Sequence, residues 1–189
     1  MFEEILAKVS NFLNKLSIPY MVIGGQAVLL HGEPRLTRDI DITLGIGIEK
    51  SELIIENLKE INLKPLPENA RGFINKTFVL PLEDINTRVR IDFIFSQTDY
   101  EKRAINRSIK IDLKGVKVNF STVEDLLIHK IFAGRPKDLE DVKILILKNP
   151  GINKNYIRKW LADFDKTLEN KNFLMQFNEI ISEKGTVLF

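Results

Sequence analysis

Cysteine is missing altogether from this 189-residue chain, and histidine occurs only twice. The first absence removes disulfides, thiolate nucleophiles and thiolate metal sites, and is compatible with a reducing compartment. The second leaves a zinc site short of its usual ligands. No stretch approaches the roughly 20 consecutive apolar residues that a bilayer span needs. Neither sign of charge dominates either: 28 Lys and Arg stand against 26 Asp and Glu, a net charge of +2. A field over the whole molecule, of the kind that coats nucleic acid, is therefore excluded, and any basic patch must be local. Internal repeats, low-complexity segments and long linkers are lacking too. "GIGIEK" at 45–50 has no Gly-Lys-Ser/Thr ending and is no phosphate loop, and its Gly-x-Gly is too short for a dinucleotide fingerprint. The opening "MFEEILAKVSNFLNKL" sets Phe2, Ile5, Leu6, Val9, Leu13 and Leu16 at helical spacing and carries acids early, unlike a signal peptide. The expectation is a cytoplasmic chain with no membrane partner.

What is present is a 44% hydrophobic chain, enough for one full core or for a domain with a small companion. Strands alternate with helices up to about residue 120, and helical patterning alone follows. After the opening helix, "PYMVIGG" reads as a short strand ending in glycines and "QAVLLHG" as a brief helix closed by Gly32. "DIDITLG" alternates as a strand and "KSELIIENLKEI" as an amphipathic helix, while 67–76 read as an irregular loop. "FVLPL" and "RVRIDFIFS" form two further strands, and "IKIDLKGVKVNF" a hairpin turning at Lys114-Gly115. Helices are expected over about 122–133, 136–148, 153–169 and 171–182. The fold class is α/β (α+β): a small mixed sheet with flanking helices over 1–120, then an α-helical subdomain over 121–189.

Chemistry concentrates in "VIGGQAVLLHGEPRLTRDIDI", residues 22–42. A strand that stops at Gly24-Gly25 and passes directly into a helix leaves backbone N–H groups open at the helix start, and residues without Cβ let a phosphate come close. Asp39 and Asp41, two apart on a strand, put hard oxygen ligands on one face, which suits Mg²⁺ bridging carboxylates and phosphates. A two-metal site wants another carboxylate to activate the attacking hydroxyl. Asp92, flanked by Ile91, Phe93, Ile94 and Phe95, is the candidate; pairing with Arg88 or Arg90 is the plain alternative.

These ordered elements, "GGQAVLLHGEPRLTRDIDI", "RIDFIF" and "VEDLLIHKIFAGRPKDLEDV", resemble the nucleotidyltransferases of the DNA polymerase β superfamily, in particular the small AbiEii-like stand-alone enzymes. The resemblance covers about residues 18–148. It implies that Gly24 and Gly25 grip a triphosphate and that Asp39, Asp41 and Asp92 bind two Mg²⁺. It also implies that a helical C-terminal part covers the nucleotide. Lys130 is implied as a catalytic, phosphate-neutralising residue and Lys137 as a phosphate or base contact. In the basic loop, Arg35, Thr37 and Arg38 are candidate nucleotide contacts, solvated turn residues being the alternative for Arg35. For Asp138 and Asp141 the bland reading is helix-start capping, with Lys137 and Asp141 as an i,i+4 pair. His31 reads as a locally bonded helix end, and Trp160 and Phe164 as core.

The implied reaction moves a nucleoside monophosphate from an NTP co-substrate to a hydroxyl or phosphate acceptor with release of pyrophosphate. The acceptor would be tRNA, protein or a small molecule. A toxin–antitoxin pair, with a cognate antitoxin as partner, is one setting. The competing expectation is a non-catalytic module that binds a nucleotide or a partner chain. Geometry discriminates between them. Two-metal chemistry needs strands 39–44 and 88–95 side by side with the three carboxylates on one face; dispersed carboxylates, or Asp92 turned away into a salt bridge, would favour the module.

Overall fold

The computed structural model describes residues 1–169 and 171–185. They group into two compact units, one of residues 1–27 and 36–122, the other of 28–35 and the described residues from 123 onward. The dividing points fall inside a helix after Ala27 and at the end of the last strand, so the segment Val28–Arg35 joins the helical unit.

The first unit is built on one seven-stranded mixed sheet. Its strands are β1 (Tyr20–Ile23), β2 (Asp39–Leu44), β3 (Leu63–Pro65), β4 (Val79–Asp84), β5 (Arg90–Phe95), β6 (Ile109–Leu113) and β7 (Val116–Phe120). Their order is β3-β4-β5-β2-β1-β7-β6. β2 runs parallel to β5 and antiparallel to β1. The period-2 alternation of "DIDITL" and "RIDFIF" decides what this pairing buries. Ile40, Ile42, Leu44, Ile91, Phe93 and Phe95 fall on one face, with Leu80 and Leu82 of β4 beside them, and none is more than 1% exposed. Each such side chain contributes roughly 1.5–3 kcal/mol by leaving water. A slip of one residue would drive Asp39, Asp41 and Asp92 into that core, so hydrophobic burial fixes the register that places the acids on the other face. β1, inside the sheet between β2 and β7, is buried along its whole length, as its unbroken apolar run demands.

Helix α1 (Phe2–Lys15) packs against β6 and β7 and buries Val9, Phe12 and Leu13 among others. α2 (Gly24–His31) starts with no intervening residue after β1, and α3 (Ser51–Asn57) continues into a 3₁₀ turn at Leu58–Ile61. Three short elements depart from expectation. Most of the loop expected at 67–76 is taken up by helix α4 (Ala70–Thr77), started by Asn69, whose side chain accepts the backbone N–H of Gly72 at 2.9 Å. It is held by Ile74, which is fully buried. α5 (Asp99–Arg107) has no counterpart in the patterning above, although Thr98 and Glu101 form a complete capping box. β3 is a three-residue edge strand recruited by β4, too short to show a period.

The second unit is helical: α6 (Val123–Ala133), α7 (Pro136–Lys148), α8 (Lys154–Thr167) and α9 (Phe173–Gly185). Pro136 opens α7 behind Arg135, where a missing N–H costs nothing. Leu126, Leu127, Ile128 and Ile131 of α6 are fully buried among the other helices. Phe132 stacks on Phe173 at 5.3 Å and meets Phe164 edge-on at 5.5 Å, so these aromatics bind the helices of this unit together. Among the described residues no helix is long and apolar enough to cross a membrane.

Candidate active site

β2 and β5 set the site. In their parallel register Asp39 stands opposite Arg90 and Asp41 opposite Asp92, so all four side chains leave the same face of adjacent strands, about 4.8 Å apart. The three aspartates thus meet the strand requirement for a shared cation site. The Asp92 carboxylate is held by Arg90 and that of Asp39 lies near Thr37, and among the described residues no three Asp, Glu, His or Cys groups are gathered as a metal would gather them.

Asp92 is taken by Arg90, whose Nε donates to Oδ1 at 2.8 Å and Nη2 to Oδ2 at 3.0 Å. This salt bridge forms on the shared face and does not turn Asp92 away. Arg88 is engaged elsewhere, with Glu83 at 2.9 Å. The hydrogen bond to Asp92 holds the Arg90 guanidinium further into its charged form; the fields of Asp92, Asp39 and Asp41 add to this. One cation therefore answers three anions.

The Gly-Gly turn is bound to the same face. Gly24 has φ +61°, and a Cβ built on it would lie 1.8 Å from Oδ2 of Asp41. On Gly25 a Cβ would lie 2.2 Å from Oγ1 of Thr37. Thr37 Oγ1 is in turn within donating reach of Oδ1 of Asp39, at 3.3 Å, and Gln26 of α2 approaches the Asp39 carbonyl at 3.4 Å. Glycine is thus required at both positions by the protein's own side chains, through a φ that L residues avoid and through two contacts with no room for a methyl group. Sequence reasoning credits these glycines to phosphate approach alone; it misses that Thr37 and Asp41 already lie on the turn. The N–H groups at the start of α2 lie beside the Asp-x-Asp pair, and there a helix start favours an anion.

The donor set fits a hard divalent cation: carboxylate oxygens, on adjacent rungs, on a face where buried hydrophobic neighbours fix the backbone. Gathering the carboxylates around an ion would release Asp92 from Arg90, whose side chain is half-exposed.

Of the remaining candidates, Arg35, Lys130 and Lys137 belong to the helical unit and Arg38 to the first. Lys130 is 6% exposed, and its ammonium donates to Asp138 Oδ1 at 2.7 Å and approaches Asp141 Oδ2 at 2.9 Å. Arg35 reaches the same Asp141, with Nη2 donating at 3.0 Å, and Arg135 binds Asp138 at the start of α7. Burial pushes the Asp138 carboxyl up, but the hydrogen bonds from Arg135 and Lys130 outweigh it and hold it below its ordinary value. Asp138 is thus a buried partner of cations as well as a helix-start acid, whereas Asp141, expected beside it in the first turn, lies beyond that turn and pairs with Lys130 and Arg35. Lys137 and Arg38 are exposed. The His31 carbonyl closes α2 by accepting the Asn149 side-chain amide at 2.8 Å.

The sheet, the Gly-Gly helix start and the facing aspartates together have the fold of a nucleotidyltransferase. The likeness to solved structures says the same. The fold is similar to that of an antigenic nucleotidyltransferase-like protein from Paracoccidioides brasiliensis, with a TM-score of 0.57 at 15% identity over 87% of either chain. It is similar to the antibiotic-resistance factor ANT(2'')-Ia, at 0.59 and 13% identity over 87% of this chain and 91% of that one. It is also similar to the lincosamide antibiotic adenylyltransferase LnuA in its lincomycin-bound form, at 0.50 and 18% identity over 75% and 94%. At such identities the likeness is one of fold. No curated protein sequence matches the chain. Residues 1–184 match the family described as "Nucleotidyltransferase of unknown function (DUF6036)", and the chain belongs to that family.

Proposed function

We propose that the protein transfers a nucleoside monophosphate from an NTP to a hydroxyl or phosphate acceptor, with release of pyrophosphate, at the face formed by β2 and β5. The observation that carries this reading is the parallel register that sets Asp41 against Asp92 and Asp39 on the next rung of the same face, beside the Gly24-Gly25 helix start. Asp39 and Asp41 would hold one Mg²⁺ and Asp92 would share in holding a second. When bound there, such ions neutralise phosphate charge and lower the pKa of an acceptor hydroxyl.

The chain's own residues have separate tasks in this reading. The backbone N–H groups at Gly24 and Gly25 receive phosphate oxygens, which the helix start attracts. Thr37 keeps Asp39 and the Gly-Gly turn in register by touching both. Arg38, exposed on the approach to β2, is a cation open to a nucleotide. Lys130 and Arg35 hold buried carboxylates, so their first task is to order the helical unit; contact with phosphate would need them to leave those partners.

For the acceptor, a hydroxyl on a small molecule is the first to try, because two of the similar folds are named as an antibiotic-resistance factor and an antibiotic adenylyltransferase; tRNA and protein follow. The AbiEii-like subtype, with its toxin setting and antitoxin partner, rests on the sequence resemblance alone. The test is incubation with each α-labelled NTP, Mg²⁺ and, in turn, small-molecule pools, total RNA and protein extract. A labelled acceptor with equimolar pyrophosphate supports the reading; label that appears only as free nucleotide, in every pool, opposes it.

A second reading is favoured by one observation, that the carboxylates are dispersed and Asp92 is held by Arg90. It is a module of the same fold that binds a nucleotide or a partner chain without turnover. NTP binding indifferent to both Mg²⁺ and Asp39→Asn would select it.

A further inference from the structure

We propose that Arg90 is the built-in counter-ion of the carboxylate site: it holds Asp92 in the metal-free protein and competes with the divalent cation for that carboxylate. The inference rests on the metal-site reading above. Arg90 and Asp92 are two apart on β5, so both side chains leave the site face, and the guanidinium grips both carboxylate oxygens, at 2.8 and 3.0 Å. Across the strand pair, Arg90 is in register with Asp39. It therefore stands beside every acid of the site and feels all three of them.

Three carboxylates on adjacent rungs repel one another when no cation is there, and the buried face behind them prevents the strands from moving apart to relieve it. A planar guanidinium matches a carboxylate with two parallel hydrogen bonds, which a lysine cannot. The Arg90 side chain is 53% exposed, so it can swing out into water at small cost when a cation arrives, whereas Asp92, at 16%, cannot follow it out. Arg88 is no substitute, being bound to Glu83. The competing explanation is an ordinary exposed ion pair, which contributes little to anything. The two differ in how one measurement depends on Asp92. Loss of an ordinary pair changes cation affinity only through its field, alike with Asp92 present or replaced, while loss of a competitor raises it further where Asp92 is there to be released.

The experiment uses the full chain freed of metal by chelation, as wild type, Arg90→Met, Arg90→Gln, Asp92→Asn and Arg90→Met/Asp92→Asn. Mn²⁺ binding is followed by electron paramagnetic resonance, and thermal unfolding is recorded with EDTA and with Mn²⁺. Both Arg90 variants are expected to bind Mn²⁺ on the order of tenfold more tightly than wild type, the equivalent of one charge-assisted hydrogen bond no longer broken. They should unfold at a lower temperature than wild type in EDTA, with the gap narrowing in Mn²⁺. With Asp92→Asn as background, Arg90→Met should change Mn²⁺ affinity much less. Binding by wild type that is unaltered or weakened in both Arg90 variants overturns the role of Arg90 and leaves the metal site standing. Absence of Mn²⁺ binding in every protein overturns both.

Discussion

Replacing Lys130 with methionine separates the structural task of this residue from the phosphate contact that the family resemblance implies. Lys130 is 6% exposed and serves Asp138 and Asp141, which are themselves 2% and 3% exposed. Methionine fills most of the volume but leaves two buried carboxylates with less positive charge. Breaking a buried pair by removing one partner costs about 3–5 kcal/mol. Arg35 still holds Asp141 and Arg135 still holds Asp138, so the lower end, about 3 kcal/mol, is expected. For a chain of this size that is a fall in Tm of about 6–12 °C.

The pH dependence has a definite sign. Asp138 has its carboxyl held below the usual value of 3.8, so its contribution is fully present above that value and is lost as pH falls through the lower, folded one. In Lys130→Met this depression is smaller and Asp138 takes up its proton at higher pH. The stability gap between the two proteins should therefore be widest near neutrality and narrow on the acid side. Urea unfolding from pH 7 to pH 3, followed by circular dichroism, measures it. A variant within about 0.5 kcal/mol of wild type at pH 7 would refute the argument, since that is the range of an ordinary surface change. If NTP affinity then fell, phosphate contact would be the residue's main task after all.

Three further outcomes follow from the same geometry. Asp39→Ala or Asp41→Ala should abolish pyrophosphate release while leaving Tm within a few degrees of wild type, because both side chains are only half-buried and outside the apolar core; an active mutant would remove that residue from the mechanism. Gly25→Ala should cost about 1–3 kcal/mol by driving a methyl into Thr37 Oγ1, and Thr37→Gly in the same chain should restore most of it, as read by urea midpoint. Asp84, 1% exposed, binds Lys8 and accepts the N–H groups of Asn86 and Thr87. Asp84→Ala should accordingly destabilise by about 2–3 kcal/mol, and calorimetry showing no change would mean that the turn does not need it.

The site was more legible in the sequence than its wiring. Alternation in "DIDITL" and "RIDFIF" separates the acids from the core face without any knowledge of pairing, and the glycines mark where strand passes into helix. That β2 and β5 are neighbours and parallel lies in no local pattern, since nearly fifty residues separate them and other strands intervene. Arg90 appears in the sequence only as a rival partner for Asp92; that it also faces Asp39 follows from the register. The partners of Asp141 show the same limit. Local spacing offers Lys137 one turn away, whereas the fold supplies Lys130 from another helix and Arg35 from 106 residues upstream. Helix α4 escaped because Gly72 and a single buried side chain weaken its pattern, and only the Asn69 cap marks its start.

The most direct measurement of the central claim is ATP binding by isothermal titration calorimetry, in Mg²⁺ and in EDTA, for wild type, Asp39→Asn and Asp41→Asn. If the carboxylates on β2 hold the cation that carries the triphosphate, wild type should lose at least about tenfold in affinity when Mg²⁺ is withdrawn, the equivalent of about 1.4 kcal/mol. Both variants should bind weakly and with little response to the metal. Wild type and variants that bind ATP equally well, with and without Mg²⁺, would contradict the account.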